Sequence, residues 1–232
     1  MIATLLLLAS VAAPALASGL PPSPKVRVPS VNVPACPKKA TVSYNKSVPD
    51  KQPFPNTLVD LCYDNTAIQL TFTAQEETEF YFDPAHTTND PLWAYNVMEA
   101  FISLGTNDPK HYLEFEVSPN NATFNAFIYN PSKVRAPDAP MDTFWIQTPI
   151  VHGMTAETTI NKEKQLWVSK ARIPLGLFNV DDGKAKGTQW RMNFFRTITS
   201  PETFPAQELG AWSTPDEASF HKTPFFGNVK FV

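Results

Sequence analysis

Apolar and polar residues alternate with a period of two along most of the hydrophobic stretches of the chain. In residues 67–74, Ile68, Leu70 and Phe72 alternate with polar residues, which is typical of a strand with one buried face. Turns rich in Pro, Gly and Asn separate the stretches of this kind. The predicted strands are residues 58–62, 67–74, 97–102, 112–118, 122–129, 144–147, 152–159, 165–173, 189–198 and 227–232. A short helical turn is predicted at residues 175–180.

Two of these strands, residues 97–102 and 112–118, are predicted to pair as a hairpin. By strand alternation, Glu99 lies on one face of the first strand, while Glu114 and Glu116 share a face of the second. The hairpin therefore brings three carboxylates toward one face of a sheet. Because an unpaired charge in a core is strongly unfavourable, this face must be solvated or paired. The candidate cationic partners are Arg191, Arg196 and Lys170.

The many short strands predict an all-β fold, specifically an antiparallel β-sandwich. The 17 phenylalanines suit the packing of two sheets. Trp145, Trp167 and Trp190 lie inside apolar strands and are expected in the core. Trp93 and Trp212 instead lie in loop sequences next to prolines, where an indole can be exposed.

The N-terminal sequence predicts secretion. Residues 1–17 form an apolar run that ends in Ala-Leu-Ala, a small-residue pattern that a signal peptidase can cleave. Residues 18–35 are rich in proline and are predicted to be an extended linker. Residues 36–232 are long enough for one β-sandwich domain with its own core. We therefore expect a secreted, extracellular protein with no membrane-spanning segment.

The two cysteines and two short sequons agree with a secretory route. Cys36 and Cys62 are predicted to form one disulfide, which closes a loop of a size that typically gives about 3 kcal/mol of stabilisation. Two cysteines do not support a zinc site. Asn45 and Asn121 each begin an Asn-X-Ser/Thr sequon and are candidate N-glycosylation sites.

The charge of the chain argues against two classes of partner. The formal net charge is -3 at pH 7, and the sequence shows no cluster of Lys and Arg. Nucleic acids and anionic membranes are bound through such clusters. We therefore expect neither as a partner, and we expect a monomer.

Three segments, taken in order, resemble the family 9 carbohydrate-binding modules and their fungal-type relatives. They are LWAYNVMEAFISLGTNDPKHYLEFEVSPN, LWVSKARIPLGLF with KGTQWRMNFFR, and LGAWSTPDEASFHKTPFFGNVKF. The resemblance covers residues 58–232. It implies a β-sandwich of jelly-roll type with no catalytic activity of its own, which binds a polysaccharide or oligosaccharide.

The resemblance also implies which residues bind sugar. Trp93 and Trp212 match two tryptophans that clamp a sugar ring in characterised members, and Glu99 matches a carboxylate that accepts hydrogen bonds from sugar hydroxyls. Stacking on an aromatic ring contributes on the order of 1 kcal/mol beyond the burial of area. Further candidates for polar contacts with the sugar are Glu116, Asn193 and Arg196.

Members of this family often hold a structural calcium ion. Loop acids of the kind that bind calcium are present, and their spacing does not identify a site. The candidates are Asp60, Asp64 and Asp83. No other cofactor is expected.

Two alternatives use residues of the same chain. A glycoside hydrolase requires two carboxyl groups about 5 to 10 Å apart, which Glu99, Glu114 and Glu116 would supply. Fold kinship with extracellular sandwiches that bind haem through Met and His gives the second alternative. Its candidate ligands are Met98, Met141 and Met154 with His111 or His152.

Overall fold

The computed structural model describes residues 26–232, and these residues form thirteen strands. The predicted signal peptide and residues 18–25 of the predicted linker lie outside the described residues. The strands are β1 (Ser30–Val33), β2 (Ala40–Lys46), β3 (Pro53–Tyr63), β4 (Ala67–Ala74), β5 (Val97–Leu104), β6 (His111–Val117), β7 (Thr123–Tyr129), β8 (Asp142–Trp145), β9 (Thr155–Asn161), β10 (Leu166–Pro174), β11 (Gln189–Ile198), β12 (Glu208–Ala211) and β13 (Gly227–Phe231). Three short 3₁₀ helices span Leu92–Ala94, Leu175–Phe178 and Thr223–Phe225.

The strands of the described residues pair into two sheets that pack face to face. The smaller sheet has the order β2–β3–β4–β10–β9 and is antiparallel throughout. The larger sheet has the order β1–β13–β11–β5–β6–β7–β8, with β12 paired to β11. Only the β1–β13 pair in it is parallel. The predicted all-β antiparallel sandwich is thereby confirmed.

The hairpin of β5 and β6 forms as the hydrophobic pattern predicts. Met98 lies opposite Val117, and Glu99 lies opposite Glu116. Met98, Ala100 and Ile102 are fully buried between the sheets. We call this side of the larger sheet its inner face and the opposite side its outer face. The register places Glu99 and Glu116 on the outer face, because directly opposed residues in an antiparallel pair point the same way.

Three strands were not anticipated, and one of them shortens the predicted linker. Residues 30–33 of that linker form β1, which pairs with β13 at the edge of the larger sheet. Prolines flank β1 on both sides, and four residues are too few to show a clear alternation. The same brevity hides β12, whereas β2 does alternate, with Val42 and Tyr44 buried.

The predicted core tryptophans separate into two groups. Trp167 and Trp190 are fully buried between the sheets. The prediction is wrong for Trp145, which is 49% exposed. Trp145 ends β8, which is an edge strand of the larger sheet, and among the thirteen described strands β8 pairs with β7 alone.

The predicted disulfide between Cys36 and Cys62 is confirmed. It joins the segment after β1 to β3, and the backbone N–H of Cys36 donates to the carbonyl of Tyr63 over 2.8 Å. The Tyr63 ring stacks on Phe231 of β13 at 4.5 Å. These contacts hold the two sheets together at one edge. Asn45 and Asn121 are both exposed, so both predicted glycan acceptors are accessible.

Arg196 of β11 lies on the inner face, between the sheets. It is opposite Met98 and fully buried, with its guanidinium 3.0 Å from the Glu77 carboxylate. It also donates to the carbonyl of Gln75 over 3.0 Å. Glu77 in turn accepts a hydrogen bond from the Asn96 amide over 3.0 Å. Arg196 is therefore paired inside the core and does not reach the carboxylates of the hairpin.

No helix among residues 26–232 combines the length and the apolar composition that crossing a membrane would need.

The buried Arg196–Glu77 pair gives a test of the packing between the sheets. Glu77→Ala leaves the guanidinium of Arg196 buried and unpaired, so the free energy of unfolding should fall by about 3–5 kcal/mol. The matched control is the exposed pair of Lys170 and Glu157, 4.0 Å apart, where Glu157→Ala should change stability little. Urea denaturation of both variants measures the difference. Equal small effects would contradict the account.

Candidate functional site

The outer face of the larger sheet is covered by loops and carries a second apolar cluster. Val97 and Phe101 of β5 are fully buried there, although they face away from the smaller sheet. Leu92 and Phe226 come from the covering loops. The larger sheet is therefore buried on both faces, and a ligand site on the outer face lies where these loops leave a gap.

The gap is a cleft of about 280 Å³. Its apolar lining comes from Trp93, Phe124, Ile128, Met141, Leu209, Ala218 and Phe220. Its polar lining comes from Glu99, Glu114, Arg135, Thr143, Thr197, Gln207, Ser219 and His221.

Trp93 supplies the most exposed aromatic surface of the cleft. It lies in the short 3₁₀ helix that follows Pro91, and its side chain is 49% exposed. The indole meets the Phe124 ring edge to face at 5.5 Å, and the Gln207 amide donates to the Trp93 carbonyl over 2.6 Å. Phe124 therefore holds the indole and Gln207 holds the backbone of Trp93, while part of the indole surface stays open to the solvent.

Phe220 adds a second aromatic ring to the cleft. It belongs to the loop after β12 and stacks on Phe195 of β11 at 4.1 Å. Phe195 lies opposite Glu99 in the sheet. The ring of Phe220 is thus held close to the carboxylates by packing against the sheet itself.

The three glutamates of the hairpin form one buried cluster. The exposed fractions of Glu99, Glu114 and Glu116 are 2%, 6% and 0%, and one carboxylate oxygen from each residue lies within 4.8 Å of the other two. Within the part of the chain that the structure describes, neither oxygen of Glu116 has a hydrogen-bond partner apart from the carboxyl of Glu114. Burial raises the pKa of Glu114 to about 7, and burial followed by the charges of neighbouring acids raises the pKa values of Glu99 and Glu116 well above the ordinary range.

The cations predicted to pair with this face are used elsewhere. Arg191 forms an ion pair with Asp108 at 2.8 Å, and Lys170 lies near Glu157 on the surface. Arg196 is committed to Glu77. The predicted pairing is therefore wrong for all three residues.

The groups beside the glutamates supply little positive charge. The Tyr112 hydroxyl and the Nδ1 atom of His221 are 2.6 Å apart. Burial, followed by the charge of Arg135, lowers the pKa of His221 to about 3, so the imidazole is neutral at physiological pH. Arg135 is the basic residue among the described residues that line the cleft. Its positive charge lowers the pKa of Glu114, which partly offsets the effect of burial.

The predicted pair of stacking tryptophans is not brought together. Trp212 packs against the inner cluster, 5.8 Å from Phe194. A Cβ atom on Gly227 would lie 2.3 Å from the Trp212 ring, so the indole occupies the space that the glycine leaves. Trp93 lies on the outer face of the same sheet, and the two indoles cannot clamp one ring.

Of the remaining predicted site residues, one lines the cleft and the others lie outside it. Glu99 lines the cleft, while Glu116 lies beside Glu99 without reaching the cleft. The Asn193 amide donates to the carbonyl of Ser213 over 2.8 Å and accepts from its backbone N–H over 3.0 Å. Asn193 thus fastens β11 to the segment after β12, and it is not among the residues that line the cleft.

Sequence reasoning missed several cleft residues for different reasons. Phe124 was detectable, because the alternation of β7 and its pairing with β6 place it opposite Glu116. Gln207, Phe220 and His221 come from the irregular segments around β12. No local pattern in those segments shows which side chains meet the sheet.

The loop acids considered for calcium do not share a site. Asp64 accepts bonds from Thr66, Ala67 and Gln69 within its own turn. Asp60 accepts from Thr41, and Asp83 accepts from the backbone of Ala85. Each carboxylate is thus occupied locally, and these residues do not fit the calcium site that the family resemblance implies.

Two of the ligands considered for haem, Met98 and His111, are kept apart. Met98 lies on the inner face opposite Val117, at the other end of β6 from His111. Six residues of strand separate these ends by roughly 20 Å. Met141 lines the cleft on the outer face. The structure therefore gives no pair of axial ligands from Met98 and His111.

The glutamate cluster predicts how stability depends on pH. In buffer without divalent cations, the folded chain binds more protons than the unfolded chain in the window above about pH 7, the pKa of Glu114, because folding raises the pKa values of all three glutamates. The free energy of unfolding should therefore fall across this window. Folding lowers the pKa of His221 from 6.5 to about 3, so this residue has the opposite effect on stability, mainly below about pH 7.

Glu116→Gln removes one of the buried acids, so its decrease in stability over the same window should be smaller. Urea denaturation at several pH values measures both slopes. Constant or rising stability of the wild-type chain would contradict the prediction.

The chain matches no family model. It is 53% identical over 204 residues to the "Extracellular protein" of Arthroderma benhamiae, an alignment that covers 88% of this chain and 91% of that protein. The relative's name and the Cys36–Cys62 disulfide, which belongs to an oxidising compartment, confirm the prediction of a secreted, extracellular protein.

Solved structures with the same fold include proteins described as carbohydrate-binding. A carbohydrate-binding protein candidate from Bacteroides uniformis aligns with a TM-score of 0.65 at 16% identity, over 88% of this chain and 99% of that one. A family 9 carbohydrate-binding module from Caldicellulosiruptor kristjanssonii in complex with cellotriose aligns with a TM-score of 0.54 at 14% identity, over 87% and 93%. The same kind of module in complex with glucose gives 0.54 at 13%, over 88% and 95%.

At these identities, the likeness to the solved structures shows a shared fold. The family is shown by the fungal relative, whose sequence is more than half identical over nearly the whole chain. The chain therefore belongs to the family of the extracellular protein of Arthroderma benhamiae.

Proposed function

We propose that this secreted protein binds carbohydrate non-covalently in the cleft on the outer face of the larger sheet, with no catalytic activity. The observation that carries the proposal is the half-exposed indole of Trp93, which shares an open cleft with the carboxylates of Glu99 and Glu114. The fold is the one found in sugar-binding modules.

The lining of the cleft has the two kinds of group that a sugar ring requires. A sugar ring presents C–H groups on its faces and hydroxyls around its rim. Trp93 and Phe220 offer aromatic surface to a face. Glu99, Glu114 and Arg135 offer acceptors and donors to the rim.

Protonation of Glu114 increases the number of kinds of hydrogen bond that this side chain can form with a sugar. Its pKa of about 7 means that the carboxyl is protonated in part of the molecules at neutral pH. A protonated carboxyl donates one hydrogen bond and still accepts others. A hydroxyl, which is both donor and acceptor, is a suitable partner for such a group.

The size of the cleft favours a small sugar unit. Ligand pockets in proteins typically have volumes of roughly 300–1,000 Å³, and this cleft of about 280 Å³ is at the lower end. Glucose and cellotriose, which occupy the modules from Caldicellulosiruptor kristjanssonii, are therefore suitable first probes.

The proposal predicts that Trp93 dominates the affinity. Trp93→Ala removes the stacking surface and should weaken binding of cellotriose by about tenfold or more, whereas Trp93→Phe should keep part of it. Isothermal titration calorimetry measures these affinities. The matched control is Phe144→Ala, because Phe144 is 61% exposed and alternates with Thr143, which lines the cleft, on β8.

Equal affinity of the wild-type chain and Trp93→Ala would refute the proposed site. Incubation with the same oligosaccharides separates binding from hydrolysis. We expect no new reducing ends, and their appearance, with loss in Glu99→Gln, would favour the glycoside hydrolase alternative.

A further inference from the structure

We propose that Glu99, Glu114 and Glu116 together bind one hard divalent cation of the calcium type, at the side of the cleft that Glu99 and Glu114 line. The site differs from the loop acids that the family resemblance suggested. It also goes beyond the proposed sugar binding and does not depend on it.

The separation of the carboxylates suits a single cation. One oxygen from each glutamate lies within 4.8 Å of the others. Calcium binds oxygen ligands at about 2.3–2.6 Å, so two of its ligands are at most about 5 Å apart. The ligands come from β5 and β6, which are paired in the sheet, so the backbone already holds them near this spacing.

Glu116 gives an independent indication of a bound partner. Its side chain is completely buried, and among residues 26–232 neither of its oxygens has a hydrogen-bond partner apart from the neighbouring carboxyl of Glu114. Buried polar side-chain groups in folded proteins almost always have a partner, and a buried carboxylate without one is strongly unfavourable. One Glu116 oxygen lies within 4.8 Å of a carboxylate oxygen of Glu99 and of one of Glu114, where one cation would contact all three.

The basic residues around the cluster do not neutralise the negative charge of its three carboxylates. Arg191 and Arg196 are paired with Asp108 and Glu77, and His221 is held by Tyr112. Arg135 remains as the basic residue on the cleft wall. One divalent cation together with Arg135 would balance the three carboxylates.

The donor set selects the type of ion. All three side chains offer oxygen and none offers nitrogen or sulfur, which favours hard cations over zinc or copper. Three glutamates can supply up to six oxygens in an irregular arrangement. Calcium accepts such an arrangement, while magnesium requires a nearly ideal octahedron.

The test uses the full chain, treated with EDTA and desalted. Titration with calcium chloride in the calorimeter should show one site per chain, and calcium should raise the melting temperature. Glu116→Gln keeps the shape of the side chain and removes its charge, so it should fold and should bind calcium at least about tenfold more weakly. Glu114→Gln is the second variant if Glu116→Gln does not fold.

Control variants separate this site from other acids and from the sugar site. Asp64→Asn and Glu157→Gln should bind calcium like the wild-type chain. Trp93→Ala should keep calcium affinity even where it loses cellotriose, so failure of one proposal leaves the other distinguishable. Terbium luminescence sensitised by Trp93, which lines the same cleft, should be lost in Trp93→Ala while the calorimetric calcium site remains.

Two results would overturn the cation site. One is the absence of calcium binding to the wild-type chain. The other is equal calcium affinity of the wild-type chain, Glu116→Gln and Glu114→Gln, which would place the ion elsewhere.

Discussion

The pairing register of β5 and β6 is the constraint on which the rest of the outer face depends. It sets Glu99 opposite Glu116 and Phe101 opposite Glu114. A slip by one residue would turn these acids into the inner core and expose Met98, Ala100 and Ile102. Because the inner face is packed with apolar side chains, that alternative is strongly disfavoured. The hydrophobic core therefore holds three carboxylates together on the side where the cleft opens.

The distribution of arginines explains why those carboxylates remain without strong cationic partners. Arg196 is on the same strand as Phe195, which faces the acids, but alternation turns its guanidinium to the inner face and to Glu77. Arg191 is on the outer face and is bound by Asp108 and by the carbonyls of Pro224 and Phe226. The three carboxylates can therefore bind protons, or a ligand that enters through the cleft. Because neither Arg191 nor Arg196 neutralises these carboxylates, the cluster can bind a ligand.

The sequence predicted the fold better than the site, for physical reasons. Alternation with a period of two reports which face of a strand is buried, so β4, the β5–β6 hairpin and the disulfide were predictable. Alternation does not report what lies above the outer face. Trp212 was expected beside Trp93, yet its indole packs against Gly227 in the inner core, in the space that a side chain at that position would fill. Phe220 lines the cleft instead, from a loop whose path depends on long-range packing.

The most direct measurement is a crystal structure of the full chain with cellotriose bound at saturating concentration. The account predicts electron density for a sugar ring against Trp93, with hydroxyls at hydrogen-bond distance from the carboxylates of Glu99 or Glu114. Density for the sugar at another surface of the molecule, or a cleft without sugar at a concentration that saturates binding in solution, would contradict it.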